Sequence, residues 1–254
     1  MAVGVVPARL GSTRLARKAL AEVAGRPLVA WVLKNAARAR SLREVLLATD
    51  DAEIAAAGER AGFRAILTDA ALPSGTDRIA QAARRAGLED GILVNIQGDE
   101  PEIPPSTIDA VVELLENRGD LQMATAACVL RDPAEFASPH RVKVVTDEGG
   151  RALYFSRAPI PHRRDPASPD EVEMPCGLGH LGIYAYRRDA LDALVALPPS
   201  PLEKLEQLEQ LRALQAGMGI GVALVAASVP GIDTAEDLEA FRARVARGAR
   251  GADE

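Results

Sequence analysis

The alternation of short apolar segments with helical patterns in the first half of the chain constrains the fold most. Apolar runs predict buried strands at Val3–Val6, Glu44–Ala48, Arg64–Leu67 and Gly91–Gln97. Helical spacing lies between and after them, at Pro27–Arg40, Asp51–Ala61, Ser74 or Thr76 to about Ala86, and Pro104–Glu116. This alternation predicts βαβ units, hence an α/β fold with a parallel sheet covered on both faces. Ligands of such sheets bind beyond the carboxyl ends of the strands, so residues that follow a strand are the functional candidates.

The pattern changes after residue 120, where strand-like segments predominate. They are Gln122–Leu130, Arg141–Thr146, Ala152–Ser156 and Leu181–Arg187. Asp147–Gly150 predicts a hairpin turn, and residues 158–179 predict a loop. We interpret 124–188 as a β-rich excursion within one domain, residues 1–247. The predicted end of that domain is a helix at Pro201–Ala216, a strand at Gly221–Ala226 and a helix at Thr234–Arg247, with 248–254 as a flexible tail.

Charge and composition exclude several classes of protein. A net charge of -6 disfavours a general nucleic-acid binder. No apolar run approaches the roughly 20 residues of a membrane span, and the N-terminus lacks the pattern of a signal peptide. Cys128 and Cys176 have neither zinc-site spacing nor the number for a disulfide framework. We therefore expect a cytoplasmic protein without nucleic-acid partners or membrane insertion.

An acidic chain needs a local basic cluster to bind an anion, and one follows the first strand in the loop Pro7–Lys18, PARLGSTRLARK. Gly11 permits a tight turn, and Ser12 and Thr13 add hydroxyl groups. The cations of the loop are Arg9, Arg14, Arg17 and Lys18. This composition before a helix favours a phosphate site over a solvated basic loop. Neither G-x-G-x-x-G nor G-x-x-x-x-G-K-[ST] is present, which argues against a dehydrogenase or a P-loop kinase.

Two carboxylates are candidates for binding a metal. Asp99, in NIQGDEP, ends the strongest predicted strand, where a carboxylate can hold Mg²⁺ against phosphate oxygens. Gly98 before it allows a close backbone approach, although a plain Gly-Asp turn would explain the pair. Asp233, in PGIDTAEDL, either caps the last helix together with Thr234 or converges with Asp99 on a metal. Spacing leaves both alternatives open.

Three further segments have both a structural and a functional interpretation. Ser74–Arg78 is either an ordinary helix start or a place where amides and a cation meet a ligand. Tyr154–Arg157 and His180–Tyr184 lie on predicted strands, where such side chains are more often structural. In the predicted helix after Ser200, an apolar stripe indicates core packing and leaves two polar side chains able to face a polyol. The stripe is Leu202, Leu205, Leu208 and Leu211, and the polar pair is Glu209 and Gln210.

Taken together, the chain resembles the 3-deoxy-manno-octulosonate (Kdo) cytidylyltransferases. The matching stretches are PARLGSTRL, LLATDD, PSGTDRIA, VNIQGDEP, VKVVTD, ALYFSRAPIP, GHLGIYAYR, PSPLEKLEQLEQLR and PGIDTAEDLE, which keep the family's order over nearly the whole chain. The resemblance implies a three-layer Rossmann-like nucleotidyltransferase fold with a mostly parallel central sheet. It also implies a homodimer, with residues 124–188 contributing to dimerisation and sugar binding.

The implied activity is transfer of CMP from CTP to the anomeric hydroxyl of Kdo, an acidic eight-carbon sugar, with Mg²⁺ as cofactor. The products would be CMP-Kdo, for lipopolysaccharide synthesis, and pyrophosphate. The resemblance assigns the nucleotide to Ala8, Arg9, Gly11, Ser12, Ser74, Gly75 and Gln97. It assigns catalysis to Arg14, Lys18, Asp99 and Asp233, the two aspartates also binding the metal. It assigns the sugar to Arg78, Arg157, His180, Tyr184, Glu209 and Gln210.

One stretch departs from the family pattern, and alternative functions stay open beside the main one. Where the family has Pro-Gly-Lys-Pro-Leu, this chain has Ala16-Arg17-Lys18-Ala19-Leu20, which keeps the lysine but puts the loop geometry in question. The acceptor could instead be 8-amino-Kdo or a sialic acid, although sialic acid enzymes usually carry a different first loop. A non-catalytic nucleotide-binding protein is a further alternative, but it would be expected to lose one of the metal carboxylates.

Overall fold

The computed structural model describes residues 1–11, 15–164, 176–226 and 231–250, without the side chains of 248–250. The chain divides into two units, Met1–Asp109 with Val229–Glu254, and Ala110–Ser228. The predicted excursion 124–188 lies within the second unit. No helix in the described part of the chain combines the length and hydropathy needed to cross a bilayer.

The elements alternate strongly in the first unit. In chain order the chain forms β1 (Ala2–Ala8), a 3-10 turn (Lys18–Leu20), β2 (Glu22–Val23), β3 (Arg26–Pro27), α1 (Leu28–Ala36), β4 (Leu42–Thr49), α2 (Ala52–Arg60), β5 (Arg64–Leu67), α3 (Gly75–Ala86), β6 (Ile92–Asn95) and α4 (Pro105–Asn117). Helix α4 extends from the first unit into the second. The second unit continues with β7 (Met123–Leu130), α5 (Pro133–Ala137), β8 (Lys143–Thr146), β9 (Ala152–Ser156), β10 (Gly177–Arg187), α6 (Arg188–Ala196), α7 (Pro201–Glu206), α8 (Gln210–Gln215) and β11 (Ile220–Val225). Helix α9 (Ala235–Arg250) belongs to the first unit.

Four parallel strands of the first unit lie in the order β6–β1–β4–β5. Strands β1 and β6 are buried almost throughout, as expected of strands covered on both faces. The connections through α1 and α2 progress outward from β1, whereas the connection through α3 returns to its other side. Right-handed crossovers therefore put α1 and α2 on one face and α3 on the other. The three-layer α/β fold predicted from the sequence is confirmed.

The direction in which the chain leaves one strand for the next reverses between β1 and β6, and we call this point the winding reversal. Chains that leave neighbouring strands in opposite directions open a crevice beyond the carboxyl ends of those strands. The loop after Ala8 and the segment Gln97–Asp99 both start there. The topology of the first unit thus brings two of the predicted functional segments to one place.

The strands of the second unit are mostly antiparallel. Strand β7 pairs with β11 in parallel and with β10 in antiparallel register, and β10, β8 and β9 continue as antiparallel neighbours. Asp147–Gly150 forms the predicted turn between β8 and β9, with Gly150 N–H donating to the Asp147 carbonyl at 3.1 Å. The change from parallel to antiparallel pairing accounts for the change of pattern in the sequence.

Some predicted boundaries are wrong. Strand β10 already begins at Gly177, inside the predicted loop 158–179, because Gly177–Gly179 pair with Cys128–Leu130 of β7. The predicted helix Pro201–Ala216 is two helices, interrupted at Gln207 with φ 53°. The leucine stripe is therefore broken, and Leu205 is 80% exposed.

The ends and the small elements also differ from the predictions. The patterns missed α5 and α6, which are short or begin directly from a strand. Helix α9 continues to Arg250, so 248–250 of the predicted flexible tail are helical, and 251–254 lie outside the described residues.

Candidate active site

The crevice at the winding reversal is a cavity of about 340 Å³ in the first unit. Its walls come from the loop after β1, the start of α3, the segment after β6, and Asp233 before α9. The lining residues are Pro7, Ala8, Arg9, Gly11, Lys18, Ala19, Leu72, Pro73, Ser74, Gly75, Arg78, Gln97, Gly98, Asp99 and Asp233. The volume is within the range of small-molecule sites in proteins.

Most residues predicted for the nucleotide line this cavity. They are Ala8, Arg9, Gly11, Ser74, Gly75 and Gln97. Ser12 and Arg14 lie outside the described residues. Ser74 is also an N-cap: its Oγ accepts from Asp77 N–H at 3.1 Å. The structural and the functional interpretations of this helix start are therefore compatible, since a capped start still turns its first amides towards the cavity.

Gly98 is required by a contact within the protein. A Cβ on Gly98 would lie 2.6 Å from the Pro7 carbonyl oxygen. The predicted close approach of a ligand at Gly98 stays a prediction, and the contact with Pro7 gives the glycine a structural reason as well. Absence of a side chain lets the segment after β6 lie directly on the loop after β1.

Lys18 joins the two predicted metal carboxylates. Its Nζ donates to Asp99 Oδ2 at 2.7 Å, to Asp233 Oδ1 at 3.2 Å and to the Ile232 carbonyl at 2.9 Å. Asp99 and Asp233, far apart in sequence, thus converge on one point. Spacing alone could not show that the two carboxylates contact the same ammonium group.

Thr234 and Asp237 cap the start of α9. The Thr234 hydroxyl accepts from Asp237 N–H at 3.2 Å, and the Asp237 carboxylate accepts from the amides of Thr234 and Asp233. These two backbone hydrogen bonds lower the pKa of Asp237. Capping by Thr234 and Asp237 leaves the Asp233 carboxylate directed to Lys18.

An apolar cluster supports the carboxylate-bearing segments. It consists of Val23, Leu28, Ile232, Leu238 and Phe241, with Trp31 packed against it. Ile232 N–H also donates to the Asp99 carbonyl at 2.8 Å. The cluster and this bond hold Asp233 beside Asp99, and both depend on α9 packing against α1.

Arg17 occupies the left-handed region with φ 54° immediately before Lys18. The family's glycine at this place would adopt that conformation without strain, whereas a side chain costs about 1 kcal/mol. The Arg17 guanidinium pairs with Glu53 on α2. The departure from the family pattern therefore keeps Lys18 in contact with Asp99 and adds a side-chain contact to α2.

Arg78 is only 3% exposed and lines the cavity. It donates to Asp50 Oδ2 at 3.1 Å and to the Thr68 hydroxyl. Asp50 was not predicted, although it precedes the N-cap Asp51 in LLATDD, where only one aspartate is needed for the cap. Asp50 fixes a cation at the cavity wall.

The remaining residues predicted for the sugar belong to the second unit. His180 and Tyr184 lie on β10 with ring centroids 5.4 Å apart. Burial, with the charge of Arg141, lowers the pKa of His180 to about 3, and burial raises the pKa of Tyr184. Gln210 is 6% exposed, and its Nε2 makes no hydrogen bond within the described part of the chain. Glu209 adjoins it at the start of α8.

Arg157 has its guanidinium among backbone carbonyls: Nε donates to Glu206 O at 2.8 Å, and the other nitrogens to Pro139 O and Gln207 O. Lys143, which was not predicted, is fully buried and donates to the carbonyls of Ser138, Arg141 and Arg157. Burial lowers the Lys143 pKa. A lysine inside the apolar run VKVVT is the signal that could have identified it.

The parallel sheet of this α/β fold brings a basic loop against two carboxylates at the point where the winding direction reverses. This arrangement is typical of enzymes that bind nucleoside phosphates. Comparison with known proteins narrows this class. The family described as Cytidylyltransferase matches residues 3–220.

Named relatives match most of the chain. A 3-deoxy-manno-octulosonate cytidylyltransferase of Leptothrix cholodnii is 50% identical over 94% of this chain and 89% of its own. One of Syntrophobacter fumaroxidans is 48% identical over 98% and 99%. A solved structure, CMP:2-keto-3-deoxy-manno-octonic acid synthetase complexed with CTP, has a TM-score of 0.89 and 40% identity, covering 97% of this chain and 99% of that one. A cytidylyltransferase from Leptospira borgpetersenii, at 17% identity and TM-score 0.59, shows the shared fold over 95% of this chain and 84% of that one.

The chain belongs to the cytidylyltransferase family, within the group of 3-deoxy-manno-octulosonate cytidylyltransferases, and is a nucleotidyltransferase enzyme.

Proposed function

We propose that this enzyme transfers CMP from CTP to the anomeric hydroxyl of Kdo, releasing pyrophosphate. The observation that carries the proposal is the convergence of Lys18, Asp99 and Asp233 at the cavity. The similar structure complexed with CTP, and the relatives named for Kdo, support the choice of substrates.

The cavity walls suit a nucleoside triphosphate. Arg9 and Lys18 supply cations, Arg78 adds a buried one, and the first amides of α3 favour negative charge. We assign Ala8, Gly11, Ser74, Gly75 and Gln97 to the same nucleotide. Ser12 and Arg14 are proposed from the resemblance alone.

Asp99 and Asp233 are proposed to hold Mg²⁺. The oxygen atoms present suit this ion. Two carboxylates and the Ile232 carbonyl all contact the Lys18 ammonium, and Mg²⁺ prefers hard oxygen ligands of this kind. Bound there, Mg²⁺ would neutralise phosphate charge and acidify the attacking hydroxyl. The ammonium of Lys18 lies at the same point, and its contacts with both carboxylates support the proposal that positive charge is stabilised there.

The chain's own residues position the reactants and stabilise charge. The anomeric hydroxyl oxygen attacks the α-phosphorus in line, its proton passes to solvent, and the bond from that phosphorus to the pyrophosphate oxygen breaks. Lys18 stabilises the charge that develops on pyrophosphate, and we assign the same role to Arg14 from the resemblance. The chemistry requires no covalent enzyme intermediate.

Sugar recognition is proposed for Arg78, Arg157, His180, Tyr184, Glu209 and Gln210. Among the described residues, Gln210 Nε2 has no hydrogen-bond partner, which supports a hydroxyl-rich ligand, because a buried donor without a partner is costly unless a ligand satisfies it. Arg157 would meet the sugar carboxylate with the N–H groups that its carbonyl contacts leave unused.

A homodimer, a cytoplasmic location and a place in lipopolysaccharide synthesis complete the proposal. Exposed apolar side chains on three strands of the second unit support the dimer: Val129, Leu153 and Leu224. The location and the pathway rest on the chemistry of the Kdo product.

Pyrophosphate release from CTP and Mg²⁺ tests the substrate assignment. Kdo, 8-amino-Kdo and a sialic acid are supplied separately at equal concentration, and we expect the highest kcat/KM with Kdo. Release with another acid but not with Kdo would replace the proposed acceptor. Absence of release with every acid would favour the non-catalytic alternative.

A further inference from the structure

The hydroxyl of Thr125, a fully buried residue on β7, is surrounded by three polar atoms. Its Oγ1 lies 2.9 Å from His180 Nε2, 2.7 Å from the Ile183 carbonyl oxygen and 3.1 Å from the Leu181 carbonyl oxygen. A hydroxyl has one proton to donate, and a carbonyl oxygen can only accept. The direction of each hydrogen bond therefore follows from the geometry.

If Thr125 donated its proton to His180, its oxygen would face two carbonyl oxygens at 2.7 and 3.1 Å with no hydrogen between them. Two unpaired acceptors in contact are unfavourable in a buried site. The proton of Thr125 must therefore go to a carbonyl, with Ile183 the nearer. His180 Nε2 is then the donor, and its hydrogen points to Thr125.

The local strand geometry is built around this hydroxyl. The register of β10 against β7 shifts between Leu181, which lies opposite Ala126, and Tyr184, which lies opposite Thr125. This irregularity turns the carbonyls of Leu181 and Ile183 towards one side chain. A threonine or serine is needed there, because an apolar side chain would leave both the His180 N–H and the carbonyls without their partner.

The surroundings keep the imidazole neutral. Phe155 meets its ring edge-on with centroids 5.0 Å apart, and the Tyr184 ring centroid lies 5.4 Å from that of His180. Burial and the charge of Arg141 both oppose a second proton. A neutral ring with hydrogen on Nε2 has a lone pair on Nδ1. Among the described residues, Nδ1 has no hydrogen-bond partner.

We propose that Thr125 is a positioning residue that fixes His180 as the Nε2–H tautomer, so that Nδ1 accepts a hydrogen bond from a hydroxyl of the sugar acid. A neutral nitrogen that can only accept a hydrogen bond cannot bind a carboxylate. His180 therefore selects for a hydroxyl group of the sugar, and the sugar carboxylate is bound by cations instead. This inference rests on the proposed function, and in particular on the sugar-side role of His180.

The first test is spectroscopic and needs no turnover. Replacing His140 and His162, both exposed and outside the proposed site, by Gln leaves His180 as the only histidine. Long-range ¹H–¹⁵N NMR spectra of this double variant at pH 7 distinguish the two tautomers. We expect the pattern of hydrogen on Nε2 in the parent and in Thr125→Ser, and loss of that pattern in Thr125→Val. A parent spectrum with hydrogen on Nδ1, or on both nitrogens, overturns the proposal without any mutation at Thr125.

The second test separates the sugar from the nucleotide. Loss of one positioned hydrogen bond is expected to raise KM for Kdo about tenfold in Thr125→Val, with KM for CTP unchanged and with recovery in Thr125→Ser. A general structural defect would instead alter both KM values and would not be restored by serine. If Thr125→Val changes the His180 tautomer but leaves KM for Kdo unchanged, the proposed hydrogen bond from the sugar to His180 Nδ1 is wrong. Wild-type enzyme inactive with Kdo would overturn the proposed function, while the tautomer spectra would still test Thr125.

Discussion

Lys18 is the residue through which the loop Pro7–Lys18 contacts the carboxylates of Asp99 and Asp233. Its ammonium contacts Asp99, Asp233 and the Ile232 carbonyl together. We propose that a residue so placed has two functions: it neutralises a carboxylate pair before substrate binds, and it presents a cation to the phosphates afterwards. Both functions require the charge, whereas packing requires only the length of the side chain.

Substituting Lys18→Met separates charge from length. We expect kcat to fall about 10²- to 10³-fold, because a cation directed at developing pyrophosphate charge is lost. Steady-state pyrophosphate release measures the change. Lys34→Met, an exposed position on α1, is the matched control and is expected to retain full activity. Wild-type turnover in Lys18→Met would contradict the assignment.

Substituting Asp99→Asn tests the carboxylate pair. The side chain keeps its size and loses its charge, so we expect turnover to fall by orders of magnitude, about 10³-fold, with the fold retained. Pyrophosphate release over a range of Mg²⁺ concentrations, with circular dichroism for the fold, provides the measurement. Asp90→Asn, exposed in a turn, serves as control. A fully active, Mg²⁺-dependent Asp99→Asn enzyme would exclude the metal role.

At the scale of elements, the backbone contact between the loop after β1 and the segment after β6 holds the cavity together. Gly98→Ala would put a Cβ 2.6 Å from the Pro7 carbonyl oxygen, and neither backbone can move without displacing Asp99. We expect the free energy of unfolding to fall by about 1–3 kcal/mol, as in other overpacked sites, with reduced turnover.

Gly119→Ala is the control for this substitution. A Cβ at Gly119 would meet no atom within 4 Å, and we expect a change within about 0.5 kcal/mol. Urea unfolding measures both variants. Equal stability of the two would show that the Pro7 contact does not constrain the cavity.

The elements of the first unit were largely predictable because their signals are local. Asp51 caps α2 through the amides of Glu53 and Ile54, and Ser74 caps α3, both as the sequence patterns indicate. The break at Gln207 was not predictable, because glutamine gives no local sign of a positive φ. A tertiary contact accompanies the break: Arg157, distant in sequence, donates to carbonyls at the end of α7.

The site was predictable in composition but not in geometry. Strand ends identified the first loop and Asp99, since ligands of parallel sheets bind there. The approach of Asp233 to Asp99 depends on α9 and its apolar cluster, and no spacing rule contains that contact. Asp50, Thr125 and Lys143 were missed because each acts by holding another polar group, through contacts that only the folded chain reveals.

At the scale of the whole molecule, the buried His180 couples stability to pH. Burial and Arg141 lower its pKa from 6.5 to about 3. Between pH 6.5 and pH 3, His180 is therefore protonated in the unfolded chain and neutral in the folded chain. The free energy of unfolding falls as the pH is lowered through this range. Glu203 and Asp237 have lowered pKa values too, so their stabilising contributions are lost at more acidic pH, as it falls below about 4.5.

Urea unfolding at pH 7 and pH 5 isolates the histidine. For one group with these pKa values, wild-type enzyme is expected to lose about 2 kcal/mol between the two pH values, a loss that His180→Gln abolishes and that exposed His140→Gln retains. The single tryptophan, Trp31, lies in the first unit, whereas Tyr154, Tyr184 and Tyr186 are all in the second. Tryptophan fluorescence and tyrosine near-ultraviolet dichroism therefore follow the units separately. We expect the histidine-dependent loss in the tyrosine signal, because protonation of His180 is opposed only where the second unit is folded. The same loss in His180→Gln as in wild type would show that another group causes the pH dependence.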